Sequence, residues 1–157
     1  LTGLFYASQI PNDFNGDGRS DVLFRSASAS SALATWQLDD TSITGGGALS
    51  NPGSAWTYQG DGDFYGNVHS DILFQDASGN LSIWEMNGGA IVGGGGIGSP
   101  GSGFAVAGIA DLGNTSHASI VFDNASGQVA TWLMNDTSII GGGTIGTAAG
   151  YNILGVR

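Results

Sequence analysis

Between residues 13 and 21 the chain reads Asp13-Phe14-Asn15-Gly16-Asp17-Gly18-Arg19-Ser20-Asp21, a dense run of oxygen-bearing side chains. Side-chain oxygens of Asp13, Asn15, Asp17 and Asp21 fall at the first, third, fifth and ninth positions. Glycines occupy the fourth and sixth, and the seventh, Arg19, offers a backbone carbonyl. This alternation lets a tight loop aim several hard oxygens at one centre, which suits Ca²⁺. The same residues also describe an Asx-rich turn closed by its own side chains. Three carboxylates within nine residues repel one another unless a cation sits among them. That crowding favours the metal.

Two later loops echo the first. Asp63-Phe64-Tyr65-Gly66-Asn67-Val68-His69-Ser70-Asp71 keeps the outer acids, so Asp63, Asn67 and Asp71 are expected to form a weaker second metal site. Asp111-Leu112-Gly113-Asn114-Thr115-Ser116-His117-Ala118-Ser119 retains one carboxylate and is expected to fold without metal. His69 and His117 both stand at the seventh position. With the backbone as the ligand there, their imidazoles are expected to point outward.

The rest of the composition argues against catalysis. There is no cysteine, no lysine and only two histidines, both in equivalent loops. The single glutamate, Glu85, follows Trp84 on a strand, where a solvated or edge position is expected. No nucleophile, base and acid come together, so the chain is expected not to be an enzyme. A formal charge of −10, with Arg19, Arg25 and Arg157 the only fixed side-chain cations, repels nucleic acid and anionic membranes. No run of 18 apolar residues exists to cross a bilayer as a helix. Abundant Ser, Thr, Asn and Gly with little charge suit a secreted or cell-surface protein of bacterial type. The chain does not begin with Met, which fits removal of a leader or origin in a longer chain.

What positions these loops is a repeat. Trp36, Trp84 and Trp132 stand 48 residues apart, and so do the triads Gly45-Gly46-Gly47, Gly93-Gly94-Gly95 and Gly141-Gly142-Gly143. Such a period marks a tandem array of one supersecondary unit. Each copy carries four short β signals separated by turn residues. The first falls near 4–10, 55–60, 103–109 and 150–156. The second is Asp21–Arg25, Asp71–Gln75 and Ser119–Asp123. The third runs through each Trp, and the fourth is Ile43–Leu49, Ile91–Ile97 and Ile139–Ile145. Asn87-Gly88 predicts a two-residue hairpin turn, and the glycine triads predict a bulged outer strand. The Trp series is expected to lie in the core between copies.

An Asp-Phe-Asn-Gly-Asp-Gly loop closing on Asp21, then a Val-Leu-Phe strand and a Trp-bearing strand, resembles the FG-GAP/VCBS-type repeat. That family includes the propeller of integrin α-subunits and bacterial secreted proteins. The resemblance covers essentially the whole chain and is most specific in copy one. It implies an all-β fold, a β-propeller of four-stranded antiparallel blades with three blades per chain. It also implies calcium on the side chains of Asp13, Asn15, Asp17 and Asp21 and on the carbonyl of Arg19. Blade 1 would span about 4–50, blade 2 about 54–98 and blade 3 about 102–146, with a surplus strand at 150–157.

Closed propellers have at least about four blades. Three blades therefore predict either a homo-oligomer, a dimer completing a six-blade ring being simplest, or a part of a longer repeat chain. The functional expectation is a calcium-binding, non-catalytic module recognising glycan or extracellular protein. The alternative is a structural spacer array with calcium as a rigidifying clip.

Overall fold

The computed structural model describes residues 10–28 and 31–156. The expected first strand of copy one, near 4–10, lies almost wholly outside them. Among the described residues the chain is all-β, with eleven strands and no helix.

Copy one supplies β1 (Val22–Arg25), β2 (Leu33–Asp39) and β3 (Ser42–Ala48). Copy two supplies β4 (Trp56–Gly62), β5 (Asp71–Asp76), β6 (Leu81–Asn87) and β7 (Ala90–Gly98). Copy three supplies β8 (Phe104–Ala110), β9 (Ser119–Asn124), β10 (Gln128–Asn135) and β11 (Ser138–Thr147). Each copy forms its own antiparallel meander, in the orders β1-β2-β3, β4-β5-β6-β7 and β8-β9-β10-β11.

The glycine triads have a steric cause. In all three sheets the outer strand carries one extra residue opposite the third strand, at Gln37/Leu38, Glu85/Met86 and Leu133/Met134. Just beyond this bulge, Gly46, Gly94 and Gly142 adopt φ of +105°, +108° and +120°. A Cβ there would overlap the carbonyl oxygen of Thr35, Ile83 or Thr131. Only glycine fits.

One turn differs from its expectation. The β6–β7 hairpin turns on Gly88-Gly89, both at positive φ, with Asn87 closing the ladder against Ala90. Two glycines satisfy the paired left-handed conformations of such a turn.

The sheets stack face to face through apolar side chains that alternate along each strand. Phe14, Leu33, Ile72, Phe74 and Met86 form the core between the first and second sheets, with Trp56 and Trp84 packed on it. Phe64, Leu73, Leu81, Ile83, Ile120, Phe122 and Met134 form the core between the second and third, with Phe104 and Trp132 packed on it. Trp84 and Trp132 therefore lie at the sheet–sheet junctions, each edge-on to a phenylalanine, Phe74 at 4.9 Å and Phe122 at 5.0 Å. Trp36 makes the same contact with Phe24 at 4.7 Å but is exposed. Among the described residues no sheet packs on this face of the first sheet.

The tail at 150–156 is not a hydrogen-bonded strand among the described residues. It nevertheless runs beside β8: Val156 lies over Gly108 as Ile109 lies over Gly60 one copy earlier. It occupies the place of a first strand beside β8.

Candidate metal centre and the chain of loops

The second and third loops join β4 to β5 and β8 to β9, the first and second strands of their copies, and the first loop leads into β1. In each, the first aspartate folds back over the loop and accepts backbone N–H groups four and five residues on. Asp13 takes those of Asp17 (3.1 Å) and Gly18 (2.9 Å). Asp63 takes Asn67 (3.0 Å) and Val68 (2.7 Å), and Asp111 takes Thr115 (3.1 Å) and Ser116 (3.2 Å). The acid persists in all three copies because it closes the loop.

The ninth residue ties the loop to the third strand. Asp21 accepts the N–H of Phe14 at 3.0 Å and of Leu38 at 2.9 Å. Asp71 accepts those of Tyr65 and Met86, both at 2.7 Å. Both carboxylates are buried. Burial raises the Asp21 carboxyl above its ordinary value despite these two donors, and the charges of Asp13 and Asp17 add to the rise. Asp71 is pushed up to about 7, chiefly by burial, with the charge of Asp63 adding to the rise.

Within the first loop the remaining expected ligands also meet. Asn15 accepts the N–H of Asp17 at 3.0 Å, and its amide nitrogen donates to Asp17 at 3.2 Å. Asp17 accepts the N–H of Arg19 at 2.9 Å and lies 3.8 Å from the Arg19 guanidinium, which also reaches Asp39 at 3.5 Å. Among the described residues no three acidic or imidazole groups converge on one point ready to hold a metal. The donor chemistry, all oxygen, fits calcium, and the carboxylates of Asp13 and Asp17 both bear on Asp21.

The second loop is tied down further. Asn67 donates to the Met86 carbonyl at 2.9 Å and accepts the N–H of His69 at 3.0 Å, so both ends of its amide are engaged.

The histidines depart from their expectation. Neither imidazole points outward. His69 Nδ1 lies 3.0 Å from the Phe14 carbonyl and His117 Nδ1 lies 2.9 Å from the Phe64 carbonyl, each donating to the loop of the preceding copy. Both rings pack closely against a glycine, Gly16 or Gly66, that has no Cβ to hold them off. Next to them, Ser70 donates its N–H to the Asp13 carbonyl and Ala118 to the Asp63 carbonyl, both at 2.7 Å. The Ser70 hydroxyl accepts the N–H of Asp13 and donates to the Ile10 carbonyl. Each loop is thus hydrogen-bonded to the one before. A seventh-position imidazole facing a fourth-position glycine one copy earlier was the sequence signal.

Glu85 also departs from its expectation. It is buried, lying across Gly93 as Gln37 lies across Gly45. Burial first, then a hydrogen bond to Asp136 and the nearby charges of Asp136 and Asp71, push its carboxyl up to about 7.

No family model matches this chain, and neither the curated proteins nor the solved structures contain a match to it. The likeness to the calcium-loop repeat accordingly rests on the motifs of the loop and strands.

Proposed function

We propose that this chain is a non-catalytic, propeller-type array of three blades from a secreted or cell-surface protein. Its strand-connecting loops serve as clips between successive blades, and the first loop takes calcium. The observation that carries this reading is the repeated junction: Ser70 and His69 on the first loop, Ala118 and His117 on the second, with the same atoms in the same roles. The only two imidazoles are used as donors to carbonyls. This supports a structural rather than a catalytic role.

Calcium belongs to the first loop on this reading. Asp13, Asn15, Asp17 and Asp21, with the carbonyl of Arg19, would hold it, and the ion would offset the mutual repulsion of the three carboxylates. The second loop, with both ends of Asn67 engaged on backbone and Asp71 deeply buried, is a poorer host.

A ligand that binds only the folded chain stabilises it by mass action, about 2.7 kcal/mol at a hundredfold excess over Kd. Thermal unfolding in calcium against EGTA tests the assignment. Calcium is expected to raise the melting temperature, Asp17→Ala to remove most of that rise, and Asn67→Ala to leave it nearly intact. A full response in Asp17→Ala places the ion elsewhere.

A second reading, recognition of a glycan or an extracellular protein, is favoured by one observation. Tyr65 projects from the second loop and is exposed, whereas its neighbour Phe64 is fully buried. A broad glycan array probes it: saturable, sugar-specific binding lost in Tyr65→Ala supports recognition, and silence leaves the scaffold role.

A further inference from the structure

Among the described residues the stack of sheets presents two unlike outer faces, and each is one half of a junction the chain makes twice with itself. The second sheet buries Ile72, Phe74 and Met86 against the first, and the third buries Ile120, Phe122 and Met134 against the second. The corresponding face of the first sheet is Val22, Phe24, Trp36 and Leu38, where Phe24 and Trp36 are 38% and 47% exposed. At the other end, Phe64 and Ile97, buried between sheets two and three, correspond to Leu112 and Ile145, which are 45% and 67% exposed. Apolar faces of this kind are seldom left open on a soluble monomer.

The loops at the two ends depart from the inner junctions in a matched way. At the inner junctions a histidine ring lies on a glycine, and a Cβ on Gly16 would come within 3.0 Å of the His69 ring. The third loop carries Asn114 at that position, at φ +51°, so its Cβ occupies the space a histidine ring needs. The seventh residue of the first loop, which would face it from outside, is not histidine but Arg19. Its long side chain goes round a Cβ and still brings N–H donors to a carbonyl. Ser20, exposed beside it, is the counterpart of Ser70 and Ala118, whose N–H groups take the Asp13 and Asp63 carbonyls. The carbonyl of Asp111 is the matching acceptor.

We infer that the outer face of the first sheet docks, head to tail, on the outer face of the third sheet of a second copy of this chain. Arg19 and Ser20 then meet the loop of Asp111–Ser119 as His69 and Ser70 meet the first loop. The inference rests on the blade reading above, because it extends the inner junction to the ends. Head-to-tail contacts repeat until their rotation closes, and two chains supply six blades.

The test is solution mass by analytical ultracentrifugation at micromolar concentration, with circular-dichroism melts to confirm folding. The chain is expected to sediment as a dimer. Trp36→Glu and Ile145→Arg, both at exposed positions, are each expected to give a folded monomer. An equal mixture of the two is expected to recover a dimer, because each supplies the face the other lacks. A folded wild-type monomer overturns the proposal and leaves the faces to another occupant. Dimers that survive Ile145→Arg, or a mixture that stays monomeric, overturn it too. The blade reading fails separately, by fast amide exchange at Ser70 and Ala118.

Discussion

Asp13 and its counterparts Asp63 and Asp111 show how much of a residue's role its type and spacing reveal. The spacing of Asp13, Asn15, Asp17 and Asp21 marks a loop of converging oxygens, and all four turn into the loop or its neighbouring strand. What the spacing did not disclose is that the first and ninth acids spend their oxygens on backbone N–H groups. His69, His117 and Glu85 were misplaced for a related reason. Their partners, Phe14, Phe64 and Asp136, sit in other copies of the repeat, roughly fifty residues away in the chain. Local pattern does not report such contacts.

The buried acids make stability depend on pH with a definite sign. Glu85 and Asp71, both pushed up to about 7, hold their protons more tightly in the folded chain than in the unfolded one. Unfolded carboxyls titrate near ~4. The folded state is therefore favoured at low pH, and that advantage is lost as pH rises through about 7. In calcium-free buffer the melting temperature is expected to fall between about pH 5 and 8. Glu85→Gln, which stays neutral throughout, should flatten the fall. A melting temperature that climbs across this window contradicts the assignment.

At the scale of the strand, periodicity and turn chemistry placed the described first, second and fourth strands to within about two residues and the third strands on their Trp, since a two-residue alternation bounded by glycine or Asx turns has few competing solutions. The bulged outer strand was legible too, in the glycine triads. The tail at 150–156 was the exception: its sequence is that of a first strand, but among the described residues it joins no ladder. Gly94→Ala tests the bulge, because it adds a Cβ against the Ile83 carbonyl at a φ of +108°. Strain of this kind costs about 1–3 kcal/mol, with the overlap adding to it. Gly96→Ala, two residues on, meets only the Leu81 carbonyl at 3.9 Å and is expected to change stability little. Denaturant unfolding of the two variants should separate them clearly. Equal losses would mean that the triad is not steric in origin.

At the scale of the molecule, the stack is held by two apolar cores and by the line of loops joining them. Phe64 belongs to both, fully buried in the second core while its carbonyl receives His117 and the N–H of Asp136. Phe64→Ala is expected to cost about 3–5 kcal/mol, the range for a large aromatic removed from a core. Loops that look like surface connections are junctions between successive sheets. Amide hydrogen exchange under native conditions tests this most directly, because protection reports the free energy needed to expose each N–H. If the account holds, the N–H groups of Ser70 and Ala118 exchange as slowly as those of the core strands β5 and β9, while Ser78 and Ser126, in exposed hairpin turns, exchange fast. Exchange of Ser70 and Ala118 at the rate of those turn amides would contradict it.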